Sequence, residues 1–112
     1  MTAEIAYKIL THHQFEALLA DRFEGAPVDI ADGYIHLSTA DQLDETLTKH
    51  FADQQNLVIA AVPLAPLGAM LRWEVSRGGQ LFPHLHGRLT LRHVSAHRPL
   101  AYGPNGRAIL PR

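Results

Sequence analysis

Apolar side chains recur at every second position through Ile5, Tyr7 and Ile9, with Ala6 and Lys8 between them. That period of two predicts a half-buried first strand. Thr11-His12-His13-Gln14 follows with the spacing of a capping box, opening a helix whose apolar face is Phe15, Leu18, Leu19 and Phe23 and whose stop is Gly25 before Pro27. Asp32-Gly33 is a turn signal, and Tyr34–Ser38 reads as a strand with Ile35 and Leu37 on one face and Tyr34, His36 and Ser38 on the other. Thr39 and Gln42 form a second capping box, predicting a helix with a buried stripe of Leu43, Leu47, His50 and Phe51 that ends near Asp53.

Leu57–Val62 is an almost unbroken apolar run, as expected of a central strand buried on both faces. Two prolines and a glycine in 63–68 break the pattern. Alternation resumes with Leu71, Trp73 and Val75 on one face and Arg72 and Glu74 on the other. Gly78-Gly79 marks a turn, Leu81–His86 and Leu89–Val94 are further strand candidates, and the Pro/Gly-rich tail is irregular apart from a short strand around Ala108–Leu110. Two early helices and about six strands, the later ones without intervening helices, predict an α+β fold with a mostly antiparallel or mixed sheet in one compact domain spanning 1–112.

Composition agrees with a folded domain: 46% hydrophobic and 19% charged residues with a mean hydropathy of -0.07 in 112 residues exclude disordered, collagen-like and coiled-coil classes. The absence of cysteine excludes disulfide frameworks, thiolate nucleophiles and iron–sulfur or Cys-based zinc sites. No apolar run approaches the roughly 18 residues of a membrane span, and Met1-Thr2-Ala3-Glu4 has no charged n-region or apolar h-region, so a cytoplasmic protein without a membrane partner is expected.

The net charge of -1 conceals a segregation. All eleven acidic residues lie from Glu4 to Glu74, against only Lys8, Arg22, Lys49 and Arg72, whereas residues 75–112 carry six arginines, four histidines and no carboxylate. Such a basic segment suits a phosphate-bearing partner. Alternatively, the acidic helices neutralise it by packing alongside.

Three polar clusters interrupt the apolar strands. His36 and Ser38 stand where a strand feeds a helix, with Thr39 at the cap; helix N-termini favour anions, and the same hydroxyls serve equally as caps. Arg72 and Glu74 share a strand face, either as an ion pair or as a phosphate ligand beside a proton acceptor. His84 and His86 share a face of the Phe82-Pro83-His84-Leu85-His86-Gly87 strand; a metal there would need a further ligand such as His36 or Glu74, and no metal site is assigned. Phosphate-cradling glycine loops, His-Glu-x-x-His and the nucleophile elbow are absent, and 7% aromatic residues leave few stacking platforms for nucleic acid.

Asp32-Gly33-Tyr34-Ile35-His36-Leu37-Ser38-Thr39, Leu71-Arg72-Trp73-Glu74 and Leu81-Phe82-Pro83-His84-Leu85-His86-Gly87 resemble, in order and spacing, the bacterial family known as domain of unknown function 952. The resemblance runs from the Tyr7-Lys8-Ile9 strand to the last strand before Pro99; a Tyr is more usual there at the position of His86, which weakens a metal site on His84 and His86. It implies a compact α+β fold similar to ADP-ribosyltransferases, with His36 matching an early-strand residue that contacts NAD. The late catalytic glutamate of that superfamily has no counterpart, since Glu74 is the last carboxylate. A branch similar to RNA 2′-phosphotransferases, working with His and Arg around phosphate, fits the basic segment better.

The leading expectation is thus a cleft for a phosphorylated nucleotide-like ligand such as NAD or ADP-ribose. His36 would orient the ribose, Arg72 would meet phosphate beside Ser38 and Thr39, and Glu74 or His84 would handle a proton in any ADP-ribosyl- or phosphotransferase-like turnover. The alternatives are a non-catalytic protein-interaction module and a small metal-dependent hydrolase using His36, His84 and His86. All of this requires the polar faces of separate strands to share one hollow.

Overall fold

The computed structural model describes residues 3–112, apart from the side chain of Arg77. The chain runs β1 (Ile5–Leu10), α1 (His12–Leu19), α2 (Pro27–Asp32), β2 (Ile35–His36), β3 (Ser38–Thr39), α3 (Ala40–His50), β4 (Val58–Pro63), β5 (Leu71–Val75), β6 (Leu81–Leu85) and β7 (Ala96–Pro99). Short 3-10 turns lie at Ala65–Met70, Arg77–Gly79 and Leu91–His93.

The two most apolar strands make the centre. β1 and β4 pair antiparallel from Ile5 opposite Pro63 to Leu10 opposite Val58, within a sheet ordered β3-β1-β4-β7. A second antiparallel sheet is ordered β2-β6-β5. Ala6, Leu10, Val58, Ala60 and Val62 of the large sheet pack with Leu18 of α1 and with Ile35, Leu37 and Leu85 at the small sheet. The opposite face, Tyr7, Ile9, Ile59 and Ala61, packs against Leu43 and Leu47 of α3. The large sheet is therefore covered on both sides. The class is α+β, and among the described residues no helix is long and apolar enough to cross a membrane.

Both capping boxes form: Gln14 N donates to the Thr11 hydroxyl at 3.1 Å and Gln42 N to the Thr39 hydroxyl at 3.3 Å, each glutamine side chain returning the bond to the cap. Several expectations need correction. α1 ends at Leu19, which is half exposed, so Phe23 belongs to a loop and not to the helix face. The strand expected over Tyr34–Ser38 breaks at Leu37, and its two halves join different sheets, β2 with β6 and β3 with β1. Ser38 consequently belongs to a different sheet from His36. His50 is exposed instead of buried in the α3 stripe. Leu89–Val94 is no strand: the His93 ring accepts from Thr90 N at 3.1 Å and folds the segment into a 3-10 turn. At Ala108 only an isolated bridge to Tyr102 forms, whereas the extra pairing is made by β7 against β4.

The sequence pattern also concealed α2. Pro27 begins it, Asp29 closes onto Ala26 N at 2.8 Å, and Gly33 ends it with φ +87, a left-handed conformation that glycine adopts without strain. Asp29 then does more than cap. Lys8 points from β1 into the apolar layer, and its buried ammonium meets Asp29 Oδ2 at 2.8 Å and Oδ1 at 3.1 Å and donates to the His36 carbonyl at 3.0 Å. Burial pushes the Asp29 carboxyl up, but bonds from His36 and the charge and bonds of Lys8 outweigh it and hold it at about 2.

Asp29→Asn should cost on the order of 3–5 kcal/mol in urea unfolding, because it strands a buried ammonium, whereas Glu45→Gln, breaking the exposed Glu45–Lys49 pair, should cost roughly 0.3–0.5 kcal/mol. The depressed carboxyl also fixes an acid limb. Its contribution of about 2 kcal/mol is complete above the unfolded carboxyl's range near 3.8 and disappears as pH falls towards about 2, so wild-type stability should drop across that window and that of Asp29→Asn much less.

Candidate functional site

Sheet register brings the polar residues of three strands into one row. His84 on β6 lies opposite His36 on β2 and opposite Arg72 on β5, and directly opposed residues of an antiparallel pair project to the same face. Glu74, two residues from Arg72, reaches across diagonally. Its Oε1 takes the His84 Nδ1 bond at 2.9 Å and the His86 Nε2 bond at 2.7 Å. Bonds from His86 first, then His84, lower the Glu74 carboxyl below its ordinary range.

His36 is held differently. Its Nδ1 lies 2.7 Å from Asp29 Oδ1 and its Nε2 2.9 Å from Asp32 Oδ2, and its backbone N–H donates to Asp29 Oδ1 at 3.0 Å. Tyr34 covers the cluster: its ring stacks on His84 with centroids 4.1 Å apart and an interplanar angle of 25°, and it touches the rings of His36 at 4.7 Å and His86 at 5.1 Å. Desolvation, then the charges of Asp32 and Glu74, push the Tyr34 phenol up.

His84 is the most buried member, its side chain 1% exposed. Burial lowers its imidazole below the ordinary range against the opposing pull of Glu74, so the ring is neutral at pH 7. Glu74 as a carboxylate only accepts, which places the single proton on Nδ1 and leaves a lone pair on Nε2. That Nε2 is buried and has no hydrogen-bond partner among the described residues.

β3 pairs only with Ala6 and Tyr7, so the β1 edge is open beyond Tyr7. A cavity of ≈ 480 Å³ lies there, between that edge, the β2–β3 break, the start of α2 and the end of α3. His36, Ser38 and His84 line it together with Lys8, and Tyr7, Phe51 and Phe82 give it apolar walls.

The profile of the family described as protein of unknown function (DUF952) matches residues 9–97. The chain belongs to the DUF952 family. Among solved structures it is similar to the crystal structure of protein CC0527 from Caulobacter crescentus, with 44% identity and a TM-score of 0.84 over 94% of this chain and 93% of that one. The solution NMR structure of CC0527 is also 44% identical, with a TM-score of 0.79 over 94% and 91% of the two chains. No curated protein matches. These likenesses support the α+β class and leave the likeness to ADP-ribosyltransferases as a proposal.

Within this DUF952 chain the expected site residues fall into two groups. His36, Ser38 and His84 border the cavity; Glu74, Arg72 and Thr39 do not. Thr39 is occupied as the α3 cap, and the Ser38 hydroxyl is 2.8 Å from that of Thr46. Arg72 is exposed and makes no ion pair with Glu74, which is committed to the two histidines. Among the described residues no three His, Asp or Glu side chains are spaced to hold a metal ion, so His36, His84 and His86 form no metal centre there. Each has a ring nitrogen bound to a carboxylate instead.

Sequence reasoning missed Tyr34, Asp29, Asp32 and Lys8. A signal existed for two of them: Lys8 occupies an inward position of an apolar strand, and Pro27 and Asp29 between Ala26 and Gly33 carry the start and stop marks of a short helix.

Replacing Glu74 with Gln removes the anion that holds the imidazole proton. The His84 titration followed by NMR should move to still lower pH in Glu74→Gln, and an unchanged midpoint would show that Glu74 does not support this ring.

Proposed function

We propose that this protein binds a phosphorylated nucleotide-like small molecule, of the NAD or ADP-ribose class, in the cavity beside His84, within a fold of the ADP-ribosyltransferase kind. One observation carries the reading: His84, a neutral and buried imidazole oriented by a carboxylate at Nδ1 and without a partner at Nε2, belongs to the lining of a cavity of ligand size. A base oriented by a carboxylate is the arrangement that positions a ligand hydroxyl and can take its proton. His84 would be the proton-handling group, Glu74 its positioning residue, and His36 and Ser38 the further polar contacts at the wall. The cavity size and the apolar Tyr7, Phe51 and Phe82 around those few polar groups fit a nucleoside.

Arg72 was expected to meet the ligand phosphate. It projects from the face that carries His84 but stands outside the cavity lining, so in this reading it faces phosphate at the rim or not at all. Its exposure on the edge strand β5 favours the rival reading of a protein-interaction surface. Recovery of one protein partner, lost on Arg72→Ala and indifferent to nucleotides, would select that rival.

Thermal unfolding with NAD, ADP-ribose and nucleoside phosphates tests the proposal. A ligand present at 100 times its Kd stabilises the native state by about 2.7 kcal/mol, enough to raise the midpoint by several degrees in a domain of this size. His84→Phe should abolish the shift, and no shift with any candidate would refute the reading.

A further inference from the structure

β5 ends the small sheet, and among the described residues no strand pairs with its outer side. The ladder decides which backbone groups are left unmet there. His86 N donates to the Met70 carbonyl at 2.7 Å and Ser76 N to that of Gln80 at 2.9 Å, so Arg72 and Glu74 also turn their backbone groups towards β6, while Leu71, Trp73 and Val75 turn theirs away. Leu71 N is taken by the Gly68 carbonyl. The Leu71 carbonyl and both backbone groups of Trp73 and Val75 face outwards with no strand to receive them.

The side chains are equally unfinished. Val75 and Leu81, directly opposed, are 68% and 53% exposed and extend the apolar face on which Leu71 and Trp73 pack against the core. On the other face Arg72 is exposed and has no hydrogen bond or ion pair among the described residues. Glu74 spends one oxygen, Oε1, on both His84 and His86, and its side chain stays 37% exposed. An edge with unmet backbone groups is a template for another strand unless prolines, bulges or charges blunt it. β5 has no proline and no bulge, and its two charges are of opposite sign.

Those signs select both the partner and the register. A second copy of β5, antiparallel about Trp73, sets Leu71 opposite the partner's Val75 and Arg72 opposite the partner's Glu74, and the two-fold axis repeats each pair. Centring on Arg72 or on Glu74 opposes two guanidiniums or two carboxylates; centring between residues sets an outward-facing residue against an inward-facing one. Of these, only the Trp73 register satisfies backbone and charge together. Trp73 exchanges N–H and carbonyl bonds with the partner's Trp73, and Val75 N reaches the partner's Leu71 carbonyl. Arg72 and Glu74 then oppose each other at the position between these bonds, where facing side chains are closest.

We infer that this protein forms a two-fold dimer through β5, joining the small sheets of two copies into one and placing Arg72 of each against the partner's Glu74. It stands without a ligand in the cavity. It also bears on the site, because the carboxylate that orients His84 gains a guanidinium from the other copy.

Sedimentation and isotope-filtered NMR on the full chain test it. Wild type should pass from monomer to dimer between micromolar and millimolar concentration, with the Trp73 and Val75 amides becoming slower to exchange hydrogen over the same range. In a mixture of labelled and unlabelled chains, the Arg72 Hα of one copy should show an NOE to the Glu74 Hα of the other. Arg72→Glu should raise the dissociation constant at least about tenfold, since it opposes like charges in both pairs. Val75→Pro deletes an outward N–H that the monomer does not use and should weaken the dimer while leaving the circular dichroism unchanged. A chain that stays monomeric into the millimolar range would overturn the inference. So would a dimer that lacks the Arg72–Glu74 NOE, or one that persists unchanged in Arg72→Glu or in a folded Val75→Pro, because its interface then lies elsewhere.

Discussion

The buried carboxylate of Asp29 is the constraint on which the rest of the arrangement depends. It accepts from Ala26 N, from His36 N and from the His36 ring, and it neutralises Lys8. Together these bonds tie three elements: β1 through Lys8, the start of α2 through Ala26, and β2 through His36. A lone ammonium could not remain in the apolar layer beside Ala6 and Leu10, and a lone carboxylate could not remain beneath α2; each is tolerable only because the other is there. The same pair ties α2 to β1 and, through Asp29, holds the ring of His36 at the cavity wall.

A break in a strand supplies the other wall. Had Tyr34–Ser38 continued as one ladder, the hollow would have been filled by paired backbone. Leu37 instead buries itself between the sheets, and the chain crosses from the small sheet to the large one within three residues. β3 then ends after Thr39 because that residue is already the cap of α3. A short edge strand leaves the β1 edge open, and the cavity lies at that edge.

The parts legible in the sequence were those governed by local periodicity. Both capping boxes, the central β4 run and the inward–outward alternation of β5 follow from neighbouring residues alone. Parity put Arg72 beside Glu74 and His84 beside His86 on faces of single strands; it is the register of β2, β6 and β5 that brings His36, His84 and Arg72 to one side. What parity cannot supply is which strand pairs with which, and the chemistry depends on that: a diagonal across the β5–β6 register turned the expected Arg72–Glu74 pair into a Glu74 clamp on two histidines. Ser38 kept its parity and lost its sheet. α2 was hidden because six residues with a proline at the front and a glycine behind read equally well as a loop, and its stability comes from the distant Lys8.

The segregation of charge along the chain invited a polyanion partner for the arginine-rich half, yet folding spends part of it internally. Asp44 on α3 takes Arg107 at 2.9 Å and accepts from the backbone of Ala108, and Asp21 takes Arg88 at 3.2 Å. These pairs are exposed and weak one by one, but they join the acidic first half of the chain to its basic second half across more than sixty intervening residues. A groove of ≈ 730 Å³ between α3 and the tail contains Arg98, Arg107 and Arg112, but also Asp41 and Asp44, so acidic groups interrupt the positive field where it is densest. The cavity beside His84 obeys the same rule more strictly, since its lysine is neutralised at the point of burial. In both places a carboxylate is bonded to a cation of the lining, Asp44 to Arg107 in the groove and Asp29, from beneath the wall, to Lys8 in the cavity.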